Sequence, residues 1–238
     1  MTVRKKNDGS ERLPGKLIAV EGVDGSGKST QMHLLDQWLH HLGVQVFSTE
    51  WNSSEVVKEI TSKGKKKALL TPTTFSLLHS TDFADRYERR ILPLLRAGYF
   101  VLADRYVYTA YARDIVRGCN PSWVRKMYSF AVKPDIAFYF QVPVETAMKR
   151  ILTGRPKLKY YESGMDLNLS NDEFESYRMF QSKIVEEYEG MARTEGFSII
   201  DGTLDIEPQQ TIMRKKVLRL LPRVTAATAA KELVTRRQ

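Results

Sequence analysis

The sequence predicts an α/β protein, with a doubly wound, parallel, five-stranded sheet flanked by helices. Short continuous apolar runs alternate with longer segments whose apolar residues recur every three or four positions. A glycine-rich loop joins the first run to the first of those segments, where a parallel sheet places a ligand-binding turn. With 238 residues, 42% hydrophobic and 27% charged, the chain can build one sizeable domain with a buried core.

The first strand is expected at Leu17-Ile18-Ala19-Val20, a run apolar enough to be buried on both faces. From Ser29 onward Met32, Leu35, Trp38, Leu39 and Leu42 keep helical spacing, and Gly43 stops the helix. Further strands are expected over 44–48, 100–103, 136–142 and 197–200. Helical patterns lie over 54–63, 73–97, 107–117, 121–131, 144–153, 172–194 and 206–221. In the longest, Phe174, Tyr177, Phe180, Ile184, Tyr188 and Met191 form one stripe, which reads as core. The long polar interruption TGRPKLKYYESGMDLNLSND, residues 153–172, reads as a lid. The domain is expected over 16–222, between a polar, disordered extension at 1–15 and a tail at 223–238.

Composition excludes several classes. The apolar runs fall short of the ~18 residues a membrane span needs, and no secretory h-region is readable. The single cysteine, Cys119, cannot form an internal disulfide, which fits a cytoplasmic protein. The net charge of +9 is concentrated at the ends, with +3 in residues 1–16 and +3 in 223–238. Only Lys63-Gly64-Lys65-Lys66-Lys67 is conspicuous between them, and no stacking motif accompanies it, so neither nucleic acid nor membrane is an expected partner.

The loop after the first strand is Gly22-Val23-Asp24-Gly25-Ser26-Gly27-Lys28-Ser29, a G-x4-G-K-S pattern followed by Thr30. Its glycines let backbone N–H groups wrap an anion, Lys28 reaches the outer phosphates, and the Ser29 hydroxyl ligates Mg²⁺. The expected ligand is a nucleoside triphosphate, on a P-loop NTPase fold.

A second motif, Asp104-Arg105-Tyr106, closes the 100–103 run in YFVLADRYVYTAYARD. With ERRILPLLRAGYFVLADRY, KPDIAFYFQVPVETAMKRI and IIDGT in order after the P-loop, the chain resembles the thymidylate kinases over roughly 16–220. TEWNSS and DFADRYERRILP are similar to archaeal members. The resemblance implies transfer of the γ-phosphoryl of ATP to dTMP, giving dTDP and ADP, by a homodimer. It places Asp24 on the sugar 3′-hydroxyl and metal waters, Arg105 on the acceptor phosphate, and Asp104 on the P-loop and Mg²⁺ waters. It implies a thymine-stacking ring and an O4-binding arginine on one helix. These are Phe83 and Arg86, or His79 for the ring if the count back from ILP is ungapped. Thr109 and Tyr111 match the base-contacting region within one or two positions. IIDGT matches the segment beside which adenine lodges.

Two departures from the family pattern stand out. The family's T-R-E-P is Ser48-Thr49-Glu50-Trp51 here, with Glu50 retained, so that monophosphate recognition leans on Arg105 and Asn52. Gly25 stands where one subgroup carries a P-loop arginine, so the lid should supply that cation, Arg155 first and Arg150 second. A competing reading is a deoxynucleoside kinase with Glu50 as base toward a nucleoside 5′-hydroxyl. A non-catalytic nucleotide-binding regulator is the third, although no P-loop or Asp-Arg residue is missing.

Overall fold

The structure is a computed structural model, and it describes residues 13–222, 225–227 and 229. The expected extension at 1–15 and tail at 223–238 fall largely outside the described residues. Among those described, one five-stranded sheet has the order β2-β3-β1-β4-β5. Its strands are β1 Lys16–Glu21, β2 Val46–Glu50, β3 Phe100–Asp104, β4 Ile136–Gln141 and β5 Ser198–Asp201, all paired in parallel.

Alternation along β1 sorts the core into two layers. Ile18 and Val20 face helices α1 (Lys28–His41) and α9 (Ile206–Val217), through Leu35, Leu39, Met213 and Val217. Leu17 and Ala19 face the other layer, built with Phe83 of α3 (Pro72–Arg86), Tyr108 of α5 (Val107–Val116) and Ile184 of α8 (Glu173–Glu195). The aromatic stripe on α8 is core, as expected, since Tyr177, Phe180 and Tyr188 are each essentially fully buried. Phe174, at its start, is instead exposed.

Several boundaries differ from expectation for local reasons. Strand β2 begins at Val46, not at 44, because the Val44 amide closes the end of α1 on the Leu39 carbonyl at 3.0 Å. Helix α2 is Lys58–Lys66, not 54–63, because Ser54 is held in the preceding turn by its amide bond to Asp82 Oδ1 at 2.8 Å. Helix α6, Pro121–Met127, stops short of 131. The expected helix over 73–97 is broken into α3, a π turn at Tyr87–Ile91 and α4 at Leu92–Arg96. Pro93, which has no N–H to donate, sits just beyond the π turn. The extra residue in that turn rotates α3 against α4 by about 100°, which bears directly on which α3 side chains reach the site.

The lid region follows α7, Val144–Gly154. It is packed down: Leu158 is buried against Met148, Ile151 and Tyr177. The Tyr161 hydroxyl accepts the Leu70 amide at 2.9 Å, and Arg117 donates to the Tyr161 carbonyl at 2.7 Å.

Candidate active site

The P-loop lies between β1 and α1. Gly25 and Gly27 hold φ of 79° and 91°, a region that glycine enters without strain. At Gly25 a Cβ would run into the carbonyl oxygen of Ala147 on α7, whereas at Gly27 it would meet open space. Helix α1 has no side-chain cap at Gly27, so the amides of its first turn are left for an anion. Lys28 opens that helix, is buried, and lies 3.7 Å from the Asp24 carboxylate. The expected cradle of Gly22, Val23, Asp24, Gly25, Ser26, Gly27, Lys28, Ser29 and Thr30 is thus a glycine-rich loop leading into an uncapped helix N-terminus.

Ser29 Oγ donates to Asp104 Oδ2 at 2.6 Å, while Asp104 Oδ1 is buried without a hydrogen-bond partner. A hydroxyl and a carboxylate with a free oxygen suit Mg²⁺, which takes few protein ligands and completes its shell with phosphates and water. Consistent with so sparse a donor set, no group of three His, Cys, Asp or Glu able to hold a metal occurs among the described residues.

Two cavities adjoin the P-loop, one at Asp24 and one at Gly27. One, of about 280 Å³, runs between Gly27, Thr30 and Gln31 and the loop Thr203-Leu204-Asp205 after β5. It adjoins IIDGT, where the resemblance lodged adenine. Arg150 lines it, donating to the Gly202 carbonyl at 2.9 Å. Arg150 is thus tied to the loop after β5 beside this cavity.

The other cavity, of about 500 Å³, opens beside Asp24 and Arg105 and extends under the lid. Arg105 has φ of 74°, a strained value for a non-glycine residue. Its amide bonds to the Val20 carbonyl at 3.0 Å, and its guanidinium reaches the Gly22 carbonyl at 3.0 Å and the Asp24 carboxylate. Burial opposes the charge on Arg105, but Asp24 overcomes it and its pKa rises. Burial likewise opposes the Asp24 charge, but Arg105, Arg113 and Lys28 hold its carboxyl well below the usual range. Behind them Glu21 is fully buried and accepts from the Tyr106 amide at 2.7 Å and from Thr109 Oγ1 at 2.7 Å. Burial pushes the Glu21 carboxyl up, against those hydrogen bonds.

Several expected substrate contacts lie elsewhere. Phe83 is fully buried among Trp51, Tyr87, Tyr106 and Tyr128, and His79 is buried against Phe75 at 4.0 Å. The rings that line the cavity are Trp51, Phe75, Tyr160 and Tyr161. The rotation imposed by the π turn and the tryptophan at position 51 together put Phe83 one layer behind the surface. Arg86 is also buried: its Nε meets Asp82 at 3.0 Å and one terminal nitrogen meets Thr49 Oγ1 at 3.1 Å. It lines a separate cleft with Ser48, Glu50 and Arg90. Glu50 opens to that cleft and is not among the residues lining the acceptor cavity. Thr109 spends its hydroxyl on Glu21 and Tyr188, and Tyr111 packs edge-on against Tyr108 and Tyr128. Neither lines the cavity.

Asn52 does line it, with φ of 63° and a buried Oδ1 that has no partner. Its amide is held by Asp82 at 3.2 Å. Arg155 pairs with Glu162, which lines the cavity within the lid. Among the cations that line the cavity, Lys65 and Lys66 of α2 and Arg113 of α5 were not anticipated, and Lys159 of the lid joins them.

A glycine-rich phosphate loop between a strand and a helix of a parallel sheet, with one cavity at Asp24 and another at Gly27, is the layout of a P-loop kinase. The family model described as thymidylate kinase matches residues 20–212. The chain is 48% identical over 204 residues to probable thymidylate kinase 2 of Saccharolobus solfataricus, covering 85% of this chain and 95% of that protein. It is 33% identical over 205 residues to the thymidylate kinase of Syntrophus aciditrophicus, covering 79% and 88%. With the probable thymidylate kinase of Thermococcus kodakarensis it shares 34% over 152 residues, or 60% and 74%. The chain belongs to the thymidylate kinase family, and is a kinase enzyme that takes ATP as phosphoryl donor.

Proposed function

We propose that this protein catalyses ATP + dTMP → dTDP + ADP, with the roles divided as follows. The P-loop amides and Lys28 hold the transferred phosphoryl group. Ser29 and Asp104 would hold Mg²⁺, which supplies charge neutralisation of the phosphate oxygens when bound. Arg105 orients the acceptor phosphate, and Asp24 holds that arginine. Trp51 offers the ring on which the acceptor base stacks, in place of Phe83 or His79. Asn52 faces the acceptor with an unspent carbonyl oxygen. Arg155 reaches the transferred group by leaving Glu162, and Arg150 borders the donor base. A dianionic acceptor needs no strong general base, so the chemistry is positioning and charge neutralisation. A homodimer and a cytoplasmic location belong to the proposal, on the family resemblance and the lone cysteine.

The observation that carries the reading is the acceptor cavity itself. Arg105, Arg113 and Asp24 line it together with Trp51, Phe75, Tyr160 and Tyr161, and Lys28 lies 3.7 Å from Asp24. The deoxynucleoside kinase alternative is disfavoured, because Glu50, its intended base, opens to a different cleft. Acceptor profiling with ATP and Mg²⁺ tests the reading. ADP should form with dTMP and not with thymidine. ADP formation with thymidine alone would reverse the assignment.

A further inference from the structure

The acceptor cavity raises a question of charge. Strand β2 ends in Thr49-Glu50, which has no cation to offer. The nearby Arg86 is committed to Asp82 and Thr49 and lines the other cleft. Beside Asp24, Arg105 would then be the one guanidinium the sequence reading offers a dianionic phosphate, with Lys65, Lys66 and Lys159 lining the same cavity.

Helix α5 supplies another. Arg113 lines the cavity, and its guanidinium donates to Asp24 Oδ2 at 3.1 Å while Arg105 takes Asp24 Oδ1. The two guanidiniums therefore close on the two oxygens of one carboxylate. A phosphate monoester presents oxygens at a similar fork spacing, and arginine binds both groups in the same bidentate manner. Lys28 also lies on Asp24 at 3.7 Å, so three cations converge on one carboxylate. The cavity lining as a whole sets Lys65, Lys66, Arg105, Arg113 and Lys159 against Asp24 and Glu162, a balance that suits an arriving dianion.

We propose that Arg113 is a second acceptor-phosphate clamp, held open by Asp24 and handed to the monophosphate when it binds. This deepens the dTMP kinase reading and rests on it. Asp24 keeps Arg113 extended along the cavity wall in the empty enzyme. On binding, a phosphate oxygen replaces Oδ2 as the acceptor of its N–H. Burial, and next the neighbouring charge of Arg105, already weaken the hold of Arg113 on its proton, and a dianion would relieve that cost.

A purely structural Arg113, tying α5 to the P-loop, would give a different result on substitution. The experiment compares dTMP with thymidine, which shares base and sugar but has no phosphate. In Arg113→Met the KM for dTMP should rise on the order of 100-fold, the loss expected for a charge-assisted forked contact. The KM for ATP and the Ki of thymidine against dTMP should move less than about 3-fold. Arg113→Lys, which keeps the charge but not the fork, should fall between, again for dTMP alone. Equal losses for dTMP and thymidine, or no loss for either, would overturn the proposal. Failure of the unsubstituted enzyme to use dTMP would instead remove the reading beneath it, so the two failures are distinct.

Discussion

Lys65 is the cation in the acceptor cavity whose charge is least secure. It lies in the last turn of α2, with its ammonium 5.3 Å from the centroid of Phe75 on α3. Burial is the main cause, and Arg113 and Arg117 near α5 with Lys159 of the lid add repulsion that Asp82 of α3 only partly offsets. Together they bring its pKa from 10.5 to about 7. Between those values the unfolded chain holds a proton that the folded protein has released. Unfolding then takes up protons, so stability rises with pH across that window. At ~1.4 kcal/mol per unit the ceiling is about 5 kcal/mol. Partial exposure and screening reduce it to ~1–2 kcal/mol. Lys65→Met keeps the stem and deletes the charge. Urea unfolding followed by circular dichroism at pH 7 and pH 9.5 should show the unsubstituted protein gaining ~1–2 kcal/mol relative to the variant. Bound dTMP should restore the proton, seen by calorimetry at pH 8 as buffer-dependent uptake that the variant lacks. Parallel stability curves across this range would refute the reasoning, since they would mean that Lys65 titrates normally.

Four shorter tests address the same site. Trp51→Ala should raise the KM for dTMP by ~5- to 100-fold, the value of one base–aromatic stack. Phe83→Ala should leave that KM nearly unchanged and cost ~3–5 kcal/mol of stability, measured by thermal unfolding. Gly25→Ala combines an unfavourable φ of 79° with a Cβ driven into the Ala147 carbonyl, so both melting temperature and kcat should fall sharply. Arg155→Ala should lower kcat by ~10²-fold with little change in either KM, as expected of a contact made mainly in the transition state. Steady-state kinetics at saturating ATP and dTMP check it.

The sequence announced the sheet because its strands are buried on both faces and read as unbroken apolar runs. It announced the P-loop because only glycine serves at positions such as Gly25, where positive φ meets a close neighbour. It did not announce which aromatic faces the acceptor. Trp51, Phe75, His79 and Phe83 all sit near one another, and periodicity cannot say which ring is outermost. That order depends on the π turn, and five ordinary residues, Tyr87–Ile91, carry no composition signal for it.

The omission of Arg113 has a different origin, because its signal was present. Positions 109 and 111 lie about 200° apart on a helix and cannot both face one cavity. Thr109 shares its face with residues four positions away, and Arg105, Thr109, Arg113 and Arg117 repeat at that spacing. In the structure this stripe runs from the phosphate end to the lid. Arg105 and Arg113 hold Asp24, while Arg117 holds Asp166 at 2.8 Å and the Tyr161 carbonyl at 2.7 Å. Tyr161 in turn bonds both backbone groups of Leu70, which joins α2 to α3. One face of α5 therefore touches the acceptor-phosphate site, the lid and, through Tyr161, the segment that carries Lys65.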